Sequence, residues 1–109
     1  MVKVAAQTRR QLESARTVDG RVYDIVEIVQ PTTTRGTGND FLSTYMNYYV
    51  CNGAVIAPRF GDTNADAAAR LVLEGLFPGR EVVQIDIDAL AAGGGGIHCA
   101  TQQQPSTSP

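Results

Sequence analysis

The dipeptide Asn52-Gly53 stands between two apolar runs, residues 45–50 (Tyr-Met-Asn-Tyr-Tyr-Val) and 54–57 (Ala-Val-Ile-Ala). An Asn-Gly pair tolerates positive φ at both central positions of a two-residue loop, and the primed turn that results matches the twist of the strands it joins. The pattern predicts a β-hairpin. Directly after it, Thr63-Asn64-Ala65-Asp66 has the form of a capping box, with the Asp66 carboxylate near the positive end of a helix dipole. The helix that begins there offers Ala68, Leu71, Val72, Gly75 and Leu76 as a buried face and stops at Pro78-Gly79. Residues 81–86 (Glu-Val-Val-Gln-Ile-Asp) read as the next strand. A crossover helix lays the strands it links parallel while a hairpin supplies an antiparallel pair, so the expected fold class is α/β with a mixed sheet.

Upstream, residues 3–16 are rich in helix formers, and Ala5, Thr8, Leu12 and Ala15 share one face. Asp19-Gly20 stops this helix. Residues 22–29 then read as a β-branched strand closed by Pro31, and residues 32–40 as a solvated loop of threonines and glycines. At 109 residues the chain has room for one small domain with a thin core margin. We place that domain at 1–104 and expect a disordered polar tail at 105–109.

Composition removes several function classes. Nine Lys and Arg against eleven Asp and Glu leave a net charge of -2 and no basic cluster to neutralise phosphates, so no nucleic-acid partner is expected. No apolar run approaches the roughly 20 residues that span a bilayer, and the first residues lack a signal peptide's apolar region. No membrane association and a cytoplasmic location are the expectations. Cys51 and Cys99 carry no mark of a secreted disulfide framework and read as free thiols, Cys51 as core packing. One His beside one Cys falls short of the four ligands of a structural zinc site, and neither metal nor cofactor is expected.

Residues 93–105, Gly-Gly-Gly-Gly-Ile-His-Cys-Ala-Thr-Gln-Gln-Gln-Pro, admit two readings. Taken alone, four glycines are a flexible linker, a lone Cys is a small buried hydrophobe, and a lone His is a satisfied or solvated side chain. Their order, however, resembles the Gly-Gly-Gly-Asn-Ile-His-Cys-Ile-Thr-Gln-Gln pattern around the nucleophilic cysteine of the agmatine deiminases, which belong to the guanidine-modifying pentein family. Tyr45-Met46-Asn47-Tyr48-Tyr49 is similar to that family's Tyr-Val-Asn-Phe-Tyr, and residues 52–62 to its Asn-Gly-x-Ile-Ile-x-Pro-x-Phe-Gly-Asp. Phe77-Pro78, Val82-Val83 and Ile85 continue in register, so the resemblance covers about the last two thirds of the chain and, more weakly, the first third.

The resemblance implies a chemistry. A guanidinium carbon is a poor, charge-delocalised electrophile and needs a strong nucleophile. Cys99 would attack it, ammonia would leave, and water would release the carbamoyl product from a thiouronium intermediate. Gly94, Gly95 and Gly96 would leave room for a guanidine substrate and let backbone groups approach it. The family's proton-moving histidine and guanidinium-binding carboxylates match no residue here. If the segment is extended, His98 faces away when Cys99 faces substrate, and Asp40, Asp62, Asp86 and Asp88 fit loop and capping duties. Gly96 stands where the family has Asn, which bears on hydrogen bonding around Cys99. The Tyr45, Tyr48 and Tyr49 cluster reads as core and cross-strand packing.

The family's fold is a five-bladed α/β propeller, so this chain would be a partial propeller. Residues 45–86 would be most of one blade, and residues 1–29 the helix and last strand of the blade before. The expectation is the C-terminal segment of a deiminase, inactive alone, which forms a homo-oligomer or docks on a complementing deiminase chain through its uncovered apolar flanks. The alternative is a non-catalytic oligomerising or ligand-binding module derived from such a blade.

Overall fold

The computed structural model describes residues 2–36, 38 and 40–107. Its elements are α1 (Val2–Ser14), β1 (Tyr49–Cys51), β2 (Ala54–Arg59), α2 (Thr63–Leu76), β3 (Glu81–Asp86), α3 (Asp88–Ala92) and a 3₁₀ turn (His98–Ala100). The three strands form one sheet in the order β1-β2-β3. β1 runs antiparallel to β2, with Tyr49 opposite Ile56 and Cys51 opposite Ala54. β3 runs parallel to β2, with Ala54 opposite Glu81 and Arg59 opposite Asp86. The mixed sheet expected of a hairpin followed by a crossover helix is the one that forms. Pro58 is tolerated inside β2 because β1 has ended by then, so the missing N–H faces no neighbour on that side.

The hairpin departs from expectation in two respects. Its first strand begins at Tyr49, because Tyr45 and Met46 form a turn in which Tyr45 is only 1% exposed and Met46 faces solvent. In addition, Gly53 alone takes a positive φ, +75°, so the loop is not a primed turn. The loop is instead tied to the start of β3. Arg80 Nε donates to the Cys51 carbonyl at 3.1 Å, and the Glu81 N–H donates to the Gly53 carbonyl at 2.9 Å.

α2 starts where the sequence places it, but by a different device. The N-cap is Asp62, whose carboxylate accepts from the Ala65 N–H at 3.2 Å and from the Thr32 N–H at 2.9 Å. Thr63 is already helical, so no capping box forms. Asp66 turns inward instead. Its carboxylate accepts the Tyr45 hydroxyl at 2.6 Å, the Phe60 N–H at 3.0 Å and the Gly61 N–H at 3.1 Å. With Asp66 inside, Ala69 and Leu73 follow it at helical spacing onto the sheet, and Val72 is half-buried. The expected face is therefore rotated. Leu71 is 69% and Leu76 42% exposed, and Ala68 and Gly75 lie outside with them, because the residue that orients the helix is a carboxylate that a count of apolar residues passes over.

Two packed clusters make the core. Val55, Ala57, Val82 and Leu73 fill the space between sheet and α2, and Tyr48 adds an edge-to-face contact with Phe77 at 5.8 Å. Tyr45, Phe60, Ala69, Ile87, Ala91 and Ile97 form the second cluster beyond the ends of β2 and β3. The packing role read for Tyr45 and Tyr48 is what the structure has.

Residues 22–29 are not a strand. Val22 makes an isolated bridge to Arg16, and no ladder partner lies beside the rest among the described residues. β-branched composition favours a strand only where a neighbouring edge takes up its N–H and C=O groups. The segment is held instead by Ile28, which packs against both clusters, and by Glu27, which pairs with Arg9 of α1. Thr8 and Leu12 of α1, with Val26 and Met46, line an open groove of about 470 Å³ over it. The Ala5 side chain, assigned to the same face, lies outside the described residues.

The loop at 32–40 is tethered rather than simply solvated, apart from Thr37 and Asn39, which lie outside the described residues. Arg35 reaches Asp88 at 2.9 Å, Asp86 at 3.0 Å and the Arg59 carbonyl at 2.6 Å. Of the tail, residues 105–107 are irregular and exposed, and Ser108 and Pro109 lie outside the described residues. No described helix is long and apolar enough to cross a membrane.

Asp66→Ala strands buried donors, and its expected cost is on the order of 2–3 kcal/mol in urea denaturation, against about 1–2 kcal/mol for Tyr45→Phe. Burial first, and the Asp66 bond second, push the Tyr45 phenol well above its ordinary pKa. Its contribution is therefore complete below about pH 10, where the unfolded phenol begins to ionise, and is lost as pH rises toward the folded value. Tyr45→Phe should flatten the alkaline fall in stability, measured as the urea midpoint between about pH 8 and 11.

Candidate active site

The glycine run is a built turn, not a linker. The N–H groups of Gly93 and Gly95 donate to the Leu90 carbonyl at 3.2 and 3.1 Å, and that of Gly94 donates to the Ala91 carbonyl at 2.9 Å. These bonds satisfy the open end of α3, and Gly94 takes φ +84° to make them. Ala91 is fully buried, and its carbonyl also accepts the Leu42 N–H at 2.9 Å, so the run is anchored to the core at its root. Ile97, 5% exposed, plugs into the second cluster at its far end.

Directly after Ile97 the chain makes its 3₁₀ turn and presents Cys99 at the surface. Asn47, half-buried just before β1, grips this residue twice. Its Nδ2 donates to Cys99 Sγ at 2.9 Å, and its Oδ1 accepts the Cys99 N–H at 3.1 Å. The Asn47 backbone carbonyl also accepts the His98 N–H at 3.4 Å. The Asn47 bond first, and a backbone bond from Gly96 second, hold the Cys99 thiol below its ordinary pKa. Cys51 is half-buried in β1, its Sγ 3.6 Å from the Ala54 carbonyl.

The glycines assigned to substrate take different places. Gly94 is exposed and Gly95 half-exposed, 3.7 Å from the Cys99 Cβ if given a β-carbon of its own. Gly96 is buried against Asn47, where a β-carbon would lie 2.6 Å from the Asn47 Cγ. His98 does not follow the extended geometry. In a 3₁₀ turn successive side chains stand about 120° apart, and His98 lines an open depression of about 270 Å³ together with Thr44, Met46 and Asn47.

The carboxylates serve the fold. Bonds from Thr32 first and Ala65 next hold Asp62 below the usual carboxylate range, and the Arg59 bond does the same for Asp86. Asp88 pairs with Arg35. The Asp40 backbone carbonyl lies 3.5 Å from a β-carbon placed on Gly94.

Asn47 was missed by sequence reasoning, although a signal was there: an amide in the middle of Tyr-Met-Asn-Tyr-Tyr is hard to justify in an apolar strand. Chemically, the arrangement offers an exposed, rigidly held thiol whose ionised form is favoured. That is a nucleophile's environment.

A family model, Porphyromonas-type peptidyl-arginine deiminase, matches residues 1–105. A Streptomyces coelicolor protein assigned to the agmatine deiminases is 45% identical over 89 residues, which is 81% of this chain and 26% of that protein. Among solved structures, agmatine deiminase of Enterococcus faecalis superposes with a TM-score of 0.80 at 27% identity, over 93% of this chain and 32% of that one. A Porphyromonas gingivalis protein assigned as an arginine deiminase superposes with a TM-score of 0.74 at 36% identity, over 92% and 29%. The chain therefore spans between about a quarter and a third of the length of these relatives.

Alkylation by iodoacetamide should reach Cys99 before Cys51 at every pH, with the Cys99 rate climbing at a lower pH than an ordinary thiol's. Peptide mapping by mass spectrometry reads both sites in one sample, and equal rates at the two would contradict the geometry.

Proposed function

Because the chain belongs to the Porphyromonas-type peptidyl-arginine deiminase family, we propose that it supplies the nucleophile of a guanidine deiminase, with agmatine the leading substrate. The observation that carries this reading is Cys99: exposed, doubly bonded to Asn47 and biased toward thiolate.

The chemistry follows from that thiolate. Cys99 Sγ forms a bond to the guanidinium carbon. The C–N bond to one terminal nitrogen then breaks, and that nitrogen takes the electron pair and a proton and leaves as ammonia. Water adds to the resulting thiouronium carbon, the C–S bond breaks, and the thiolate returns as the urea product, N-carbamoylputrescine for agmatine, departs. Gly94 and Gly95 bring no side chains to this segment, and a β-carbon on Gly95 would lie 3.7 Å from the Cys99 Cβ, so the glycines keep bulk away from the nucleophile that a planar guanidinium would approach. The proton-moving histidine and the carboxylates that would clamp the substrate come from another polypeptide segment, since Asp62, Asp86 and Asp88 are engaged in the fold. Alone, residues 1–109 are expected to be inactive. A reducing cytoplasm would suit a free thiol of this kind.

Association with another chain is part of the proposal. Val22, Val26 and Val29 are 62%, 47% and 72% exposed, and Leu71 and Leu76 of α2 are open as well. Covering such surface gains about 25 cal/mol per Å². We read residues 45–86 as most of one propeller blade and residues 1–29 as part of its neighbour, supported by the β1-β2-α2-β3 order and the likeness to full-length deiminases. The covering surface is then a second copy or a complementing deiminase chain. A purely oligomerising module is the alternative that the same exposed faces favour.

Ammonia release from agmatine, assayed after assembly with a deiminase whose own nucleophile is replaced by alanine, separates the two. The deiminase reading expects turnover that falls by roughly a thousandfold or more in Cys99→Ala. Co-assembly without ammonia would leave the module reading standing. Light scattering of the purified chain should give a mass above its monomer value of 11.6 kDa, and a strict monomer at high concentration would remove the association proposal.

A further inference from the structure

We propose that Asn47 is the positioning residue for the Cys99 nucleophile, and that in this chain, where Asn47 packs directly on Gly96, a β-carbon introduced at position 96 would press on Asn47 and disturb its hold on the sulfur. The inference rests on the reading of Cys99 as a nucleophile and names what aims it.

The orientation of the Asn47 amide is decided by its surroundings. The Cys99 N–H can only donate, so the amide oxygen must face it, at 3.1 Å. That leaves the NH₂ group facing Sγ, at 2.9 Å. The sulfur thus receives a fixed donor, which favours the thiolate over the thiol. The same two bonds fix the side chain relative to its own backbone. A third contact, the Asn47 carbonyl accepting the His98 N–H at 3.4 Å, holds the preceding residue as well.

Gly96 completes the arrangement. A β-carbon built there meets Asn47 Cγ at 2.6 Å, Cβ at 2.7 Å and Nδ2 at 2.9 Å, all closer than real β-carbons approach their neighbours. Asn47 has little freedom to yield. It follows Tyr45, whose hydroxyl is locked to buried Asp66 at 2.6 Å, and it precedes Tyr49 in the hydrogen-bonded sheet. A larger residue at 96 therefore acts on Cys99 through Asn47.

The test is the pH dependence of iodoacetamide alkylation of the full chain, with Cys51 read in the same samples as the internal reference and circular dichroism recorded for each variant. Asn47→Ala should move the Cys99 midpoint upward and slow its alkylation several-fold at neutral pH, leaving Cys51 unchanged. Asn47→Asp, nearly isosteric, keeps the acceptor for the Cys99 N–H but turns a negative oxygen toward the sulfur, and should move the midpoint further than Asn47→Ala. Gly96→Ala should shift it in the same direction, and should add nothing in the Asn47→Ala background. Superimposable Cys99 profiles in wild type and Asn47→Ala, additive effects of the two substitutions, or a parallel change at Cys51 would each overturn the proposal. Ammonia release is a separate readout. A chain that completes a working deiminase with a thiol insensitive to Asn47 removes this inference alone, and a thiol that shifts as described without any deiminase activity removes the nucleophile's role alone.

Discussion

The buried carboxylate of Asp66 ties the turn before β1 and the corner after β2 to the first turn of α2. Its three donors come from the Tyr45 hydroxyl and from the N–H groups of Phe60 and Gly61, where the chain leaves β2 for α2. Its own backbone carbonyl accepts Gln84 Nε2 of β3 at 2.8 Å. A charge taken out of water is tolerated only when such bonds replace its hydration. The face of α2, the corner after β2 and the turn before β1 are thus set by one side chain.

From that point the constraint passes to the surface. Tyr45 pins the turn at 45–46, and the chain emerges with Asn47 aimed at the 3₁₀ turn. The other side of the site is secured independently, by Ile97 in the core and by glycine N–H groups closing α3. Cys99 is therefore held from two directions while its sulfur stays open to solvent. Arg35, bridging Asp86, Asp88 and the Arg59 carbonyl, adds a third tie between the 32–40 loop and the strand ends that carry α3.

How much of this was legible in the sequence depended on range. The hairpin, α2 and β3 follow from local signals, Asn-Gly, alternation and helical spacing, and they form at or near the expected residues. Residues 22–29 misled because strand identity needs a partner edge, which composition does not supply. The α2 face misled because its defining residue is acidic, and an inward carboxylate is visible only once its donors are in place. The Cys99 segment was legible as a motif, but its geometry was not. Gly96 reads as one glycine among four until Asn47 is packed against it, and Asn47 itself hides in an aromatic run. The departure at position 96 from the family's Asn acquires a physical meaning only through that contact.

A bond network starting at Asp66 orders the Cys99 turn. Native-state amide hydrogen exchange tests it most directly, read at Phe60, Gly61 and Cys99 in one experiment. Protection is expected at all three, with Cys99 opening no more readily than the turn that carries Asn47. Exchange of the Cys99 amide at the rate of a free chain, while Phe60 and Gly61 stay protected, would contradict it.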